Sequence, residues 1–136
     1  MSTTPAPLRM VAVSGVEALW LLEGSALSRL VLLQGELAVV RPARHVWEYG
    51  RLVVRAPVQA AAVLTTATYY VDEIRAATGT GWTVMAAGPA EVITDPDEAA
   101  HYRRTLVGWT HGPHDTISCI RPQTVTGFRL ARSAER

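Results

Sequence analysis

At 136 residues the chain is long enough for one domain enclosing a single core. Apolar residues make up 49% and charged residues only 18%, a thin charge complement that favours burial of some surface against a partner. A formal charge of +1 leaves no field to steer a polyanion, so no nucleic-acid partner is expected, and all 13 basic residues are arginine, which excludes a lysine Schiff base or lysine general base.

Residues 1–13, with Pro5 and Pro7 among small polar side chains, predict a flexible N-terminal arm ahead of a domain over 14–131, with 132–136 as a polar tail. The start Met1-Ser2-Thr3-Thr4-Pro5 lacks the basic and apolar regions of a signal peptide. Apolar runs such as residues 56–64 fall far short of the ~20 residues that cross a bilayer, so a cytoplasmic protein with no membrane partner is expected. Ser14 offers an N-cap, and Val16, Leu19, Trp20 and Glu23 follow at helical spacing until Gly24 stops the segment. Residues 30–33 and 37–40 predict two strands joined by a tight turn at Gln34-Gly35, and Pro42 marks an edge or a bulge.

Residues 52–54 predict a third strand, alanine-rich residues 57–64 a short helix, and residues 65–74, rich in Thr, Tyr and Val, a fourth strand. A turn over 78–81 leads into a long strand over 82–93, where Gly88-Pro89 marks a bulge or an edge. Thr94-Asp95-Pro96-Asp97-Glu98 combines a cap, Asp95 or Thr94, with a proline in the first turn and acids at the positive end of the dipole, which predicts a helix to about Leu106. Residues 108–114 form a loop, and strands over 116–120 and 125–130 close the domain. Six or seven mostly antiparallel strands with two or three short helices describe a mainly β protein, a small barrel whose closure removes exposed edges.

His111-Gly112-Pro113-His114-Asp115 holds two imidazoles and a carboxylate, common metal ligands. Gly112 and Pro113 bend the chain without setting both rings on one side, and no second cluster supplies more ligands, so a capped turn and no metal are expected. Cys119, the single cysteine, cannot form an internal disulfide and falls in a strand, where a buried, unreactive thiol is expected. Trp20 and Trp47 are assigned to packing, in the core or at a dimer interface.

The C-terminal half carries a more specific pattern. A strand opening on Gly81-Trp82, a helix start at Thr94-Asp95-Pro96, and a strand spelled Ile120-Arg121-Pro122 through Val125-Thr126-Gly127 stand in this order. The sequence resembles the flavin-binding split β-barrels of the pyridoxamine 5'-phosphate oxidase-like superfamily, over about residues 16–130. The resemblance implies a split β-barrel homodimer with FMN at the subunit interface, a small-molecule substrate and a reduced nicotinamide as electron donor.

It also implies site residues. Arg55 stands where the family has its phosphate-binding arginine, and Pro42-Ala43-Arg44-His45 stands where a Pro-Val-Asn-Tyr-like segment borders the flavin, so Arg44 and His45 would line the cofactor. Trp82 and Trp109 match family tryptophans that would wall the pocket. The chain departs from the pattern after Arg55, where Ala56-Pro57-Val58-Gln59 replaces the hydroxyls and lysine that complete the phosphate cluster. Two readings follow. In the first the protein is an FMN-dependent oxidoreductase in which the cofactor carries the chemistry and few catalytic side chains are needed. In the second it is a cofactor-free split-barrel dimer that binds or transforms a small apolar ligand in the former flavin cleft; a deazaflavin, or a haem with His45 as its first ligand to test, lies between the two.

Overall fold

Local chemistry sets both helices. The Ser14 side chain accepts a hydrogen bond from the Glu17 N–H at 3.1 Å and starts α1 (Gly15–Glu23), which Gly24 ends. The Asp95 side chain accepts from the Glu98 N–H at 2.9 Å and, with Pro96 in the first turn, starts α2 (Pro96–Thr105). The structure, a computed structural model, describes residues 7–25, 28–63, 65–107 and 114–132.

Eight strands run in chain order: β1 (Leu8–Ala12), β2 (Ser28–Gln34), β3 (Leu37–Glu48), β4 (Arg51–Ala56), β5 (Thr66–Ile74), β6 (Gly81–Val92), β7 (Thr116–Ile120) and β8 (Thr124–Arg132). They pair antiparallel in the order β1-β8-β6-β5-β2-β3-β4-β7, and an added β6–β7 pairing closes β6, β5, β2, β3, β4 and β7 into a six-stranded barrel. The fold is therefore mainly β, a closed barrel with β8 and β1 laid onto β6 outside the ring. Two strands make closure possible by changing partners part-way. β3 pairs with β2 over 37–43 and with β4 over 44–48, and Pro42, which has no N–H to donate, sits ahead of the β4 ladder. β6 pairs with β8 up to Ala87 and with β7 from Ala90.

Gly88 lies at that change of partner. A Cβ built there would stand 2.1 Å from the Arg121 carbonyl oxygen, so only glycine admits the close backbone approach that lets the strand cross over.

Strand alternation sorts side chains into two layers. On β4, Leu52, Val54 and Ala56 point into the barrel, where they join Leu22, Leu30, Leu32, Tyr69 and Val84 in the main core. Val53 points outward into a second core that α2 closes with Ala99, Tyr102 and Leu106, against Ile117 and Cys119. Cys119 is buried, as its strand position predicts, and burial pushes its thiol above the ordinary value. Trp47 packs against the main core. Among the described residues no helix is long and apolar enough to cross a membrane.

Three local expectations change. Residues 8–12 are not part of an arm but form β1, registered on β8 from Leu8↔Arg132 to Ala12↔Phe128; all five residues are exposed, so no buried face marked the strand. The helix expected over 57–64 reduces to one 3-10 turn, Ala60–Ala62, with no side-chain cap, because so short a segment forms few bonds to offset its nucleation. Trp20 is 67% exposed on α1 and does not pack in the core.

Candidate functional site

The end of the barrel beyond the β2–β3 hairpin carries an open cleft. In the β2–β3 register Arg41 pairs with Leu30 and Val39 with Leu32, and directly opposed residues share a face. Leu30 and Leu32 are buried in the barrel, so Arg41 and Val39 stand on its inner side, at the mouth where the wall ends. The β4–β5 connection crosses the same mouth. It is pinned by the Val58 carbonyl, which accepts a hydrogen bond from the Thr116 hydroxyl at 2.5 Å, and by the Val58 N–H, which donates to the Ala56 carbonyl at 2.9 Å. Between them lies a cleft of about 360 Å³, whose polar lining is Arg41, Gln34, Gln59 and His114 and whose apolar lining includes Val39 and Val58. Among the described residues no acid lines it. The Arg41 side chain is exposed and donates from Nη1 to the neighbouring Val40 carbonyl at 2.9 Å.

Arg55 occupies a different place. One residue along β4 from the barrel-facing Val54, it points outward beneath the end of α2 and is only 9% exposed. Its Nε and Nη2 donate to the two carboxylate oxygens of Asp115 at 3.0 and 2.8 Å, and its Nη1 donates to the carbonyls of Arg103 and Leu106 at 3.1 and 2.7 Å. Four hydrogen bonds on a guanidinium that has five N–H donors leave the fork almost fully engaged in tying the C-terminus of α2 to β4 and to Asp115. The guanidinium of Arg55 holds the Asp115 carboxyl below its ordinary value, partly opposed by burial and assisted by Arg103.

Arg44 is the register partner of Arg55 and shares its outer face. His45, the next residue, necessarily points the other way, into the barrel. Its Nε2–H donates to the Leu22 carbonyl at 2.7 Å, which fixes the tautomer and makes Nδ1 the acceptor for the Tyr69 hydroxyl at 2.8 Å. Ser28 joins the same cluster, lying 3.1 Å from Nδ1 and in contact with the Tyr69 hydroxyl. Burial lowers the affinity of His45 for a second proton below the ordinary value, with the Leu22 carbonyl acting in the opposite sense. The structure thus brings Arg44 and Arg55 together and sets His45 apart, as a core residue that latches α1 to β2, β3 and β5.

Trp82 is half-buried and packs on the main core. With the exposed Trp20 it lines a second cleft of about 380 Å³, beside Glu23 and Glu73. Trp109 and His111 lie outside the described residues. Arg41, Gln34 and Gln59 were not singled out from the sequence. Counting back by twos from a residue placed inside the barrel, such as Ala43, would have placed Arg41 on the inner face.

The same architecture occurs in known proteins. The family profile described as pyridoxamine 5'-phosphate oxidase matches residues 16–129, which include every strand of the barrel. The chain belongs to the pyridoxamine 5'-phosphate oxidase family. The uncharacterized protein Rv0080 of Mycobacterium tuberculosis is 32% identical over 123 residues, spanning 84% of this chain and 81% of that protein. Two solved structures share the family fold at lower identity. A FAD-binding protein from Mesorhizobium loti superposes with a TM-score of 0.72 at 17% identity, covering 93% of this chain and 100% of the other. The FAD-binding protein of Mycobacterium smegmatis superposes with a TM-score of 0.64 at 22% identity, covering 89% and 97%.

For a family of flavin-binding barrels the fit of this chain divides in two. At Arg55 the fit is poor, because a phosphate would have to displace Asp115 from a bidentate pair and then sit beside the carboxylate it displaced. At the barrel mouth the fit is good, because a cleft of small-ligand size offers an arginine and two amides beside apolar residues, with no carboxylate among the described residues of its lining to repel an anion.

Proposed function

We propose that this chain is a flavin-dependent oxidoreductase acting on a small molecule, with the flavin seated against the barrel mouth. The observation that carries the reading is the cleft of about 360 Å³ between Arg41 and the β4–β5 connection, lined by an arginine, two amides and apolar residues and, among the described residues, by no acid. FMN is the cofactor put forward, since one phosphate matches one arginine flanked by amides; FAD is the alternative raised by the two FAD-binding relatives. When bound, the flavin would supply hydride transfer. The chain's own residues would bind and orient it: Arg41, Gln34 and Gln59 through hydrogen bonds, Val39 and Val58 by keeping water from the ring. His114, whose imidazole lines the mouth, is the candidate to hold or move a proton there.

A homodimer belongs to the same proposal. Leu33, Leu37 and Val40 are 65%, 74% and 48% exposed on the hairpin beside the cleft, and pairing with a second copy would cover them. Sedimentation of the purified protein tests this, with a monomer at micromolar concentration overturning it. The flavin reading is tested by the visible absorption spectrum before and after titration with FMN, FAD, a deazaflavin and haem. Saturable flavin binding followed by bleaching with a reduced nicotinamide supports the oxidoreductase.

The closed ion pair at Arg55 favours a second reading, a barrel that has given up the cofactor and holds a small apolar ligand. A colourless protein that ignores all four cofactors, yet melts at a higher temperature with an apolar ligand, supports that reading instead. Haem ligation by His45 has little structural support, since both ring nitrogens already have partners in the core.

A further inference from the structure

We infer that the cleft between α1 and the β5–β6 hairpin, walled by Trp20 and Trp82, binds a small organic cation of the alkylated ammonium class. It stands at the other end of the barrel from the mouth. In the β2–β5 register Val31 faces Thr68 and Arg29 faces Tyr70, so β5 runs away from the β2–β3 hairpin and carries Glu73 to the opposite end. The site therefore does not depend on the flavin reading.

Each wall sets an indole beside a carboxylate. Glu73 and Trp82 are direct register partners and share a face of the sheet, the face on which Val84 and Ala86 continue into the core. On α1, Glu23 lies three residues after Trp20 and is its neighbour on the helix surface. Leu21 and Gly24 complete the lining of a cleft of about 380 Å³. Glu17, Asp72, Glu91, Glu98 and Asp115 each face an arginine, whereas Glu23 and Glu73 form no ion pair among the described residues.

The backbone adds charge of the same sign. α1 ends at this cleft, with Gly24 as its cap and no basic residue in its last turn, so the negative end of the helix dipole is unanswered there. Arg129 lies across from Trp82 on β8, but it does not line the cleft, and its guanidinium donates twice to Glu17, at 2.9 and 2.5 Å. A weakly hydrated cation with an apolar shell meets these surroundings on every side: the indole faces attract its charge, Leu21 covers its methyl groups, and the two carboxylates balance it. A bare metal ion does not, since among the described residues no three metal-ligating side chains come together.

The experiment titrates the full-length protein with choline and with its neutral isostere, in which carbon replaces the quaternary nitrogen, and follows saturation transfer to the ligand methyl protons. The expected result is saturable choline binding, about tenfold or more tighter than that of the isostere. Trp20→Ala and Glu73→Gln should each weaken choline about fivefold, and Glu73→Gln should leave the isostere unchanged. Both side chains are exposed, so the unliganded melting temperatures are expected to match the wild type. Equal affinity for choline and the isostere, no binding of choline, or choline binding that neither variant moves would each overturn the inference.

Discussion

Arg41 and Arg55 are the same residue type in two regions of one barrel, and their surroundings give them opposite capacities. Beneath α2, Arg55 is buried with its donors matched by Asp115 and by the last carbonyls of the helix. At the barrel mouth, Arg41 is exposed, bonded to one carbonyl of its own strand, and shares a cleft with the amides of Gln34 and Gln59. The difference teaches that an arginine's position in a motif does not assign its role. What matters is whether the fold has already answered its charge.

The contrast breaks most visibly at Asp115. Replacing it with alanine leaves the buried Arg55 charge without its carboxylate, and a loss of about 3 to 5 kcal/mol is expected in denaturant unfolding. Replacing both partners with apolar residues of similar size, Arg55→Met with Asp115→Leu, is expected to recover most of that loss, since no orphaned charge remains. A double variant as unstable as Asp115→Ala would mean that the carbonyl bonds of Arg55, and not the ion pair, hold the shoulder together.

Acid probes the same pair more gently. Asp115 has its folded value depressed below the ordinary 3.8, so its contribution is complete above that pH and is lost as pH falls through the lower folded value. Wild type should therefore lose stability below about pH 4 more steeply than Asp115→Asn, with urea midpoints as the readout. His45 acts in a higher window. The unfolded chain takes up its proton near 6.5 while the folded chain resists, so stability falls as pH drops below 6.5, by at most about 1.4 kcal/mol per pH unit. His45→Gln should flatten that slope; an unchanged slope would place its origin elsewhere.

The smallest effect belongs to the open region. Arg41→Gln should shift unfolding stability by less than about 0.5 kcal/mol, the usual range for an exposed side chain bonded only to a neighbouring carbonyl. A larger loss would show that Arg41 is structurally engaged as Arg55 is, and the contrast between the two regions would disappear.

Legibility in the sequence followed how local each cause was. Asp95-Pro96 and Ser14 carry their helix starts in adjacent residues, and both caps form as expected. The family pattern over residues 81–127 fixed the barrel type because strand, helix start and closing strand come in an unbroken order. β1 was hidden, since its partner, β8, lies more than a hundred residues away and none of its five residues is buried. The role of Arg55 was hidden for the same reason: Asp115 lies 60 residues downstream, inside a segment read as a turn. Arg44 and His45 were paired as cofactor neighbours although adjacent strand residues face opposite ways, a point the period-two rule alone could have corrected. Trp20 was assigned to core or interface packing, and α1 sets it outward at 67% exposure, away from the core.

The ring of six strands is joined by three register pairs at β6–β7, Ala90↔Ile120, Glu91↔Cys119 and Val92↔Ser118, and by three at β2–β5, against nine between β5 and β6. A hoop riveted so unevenly parts first at its short seams. Amide protons along those two joins should exchange with solvent ahead of those on the long hairpin, and the barrel should breathe there as a hinged clasp while the β5–β6 wall stays shut.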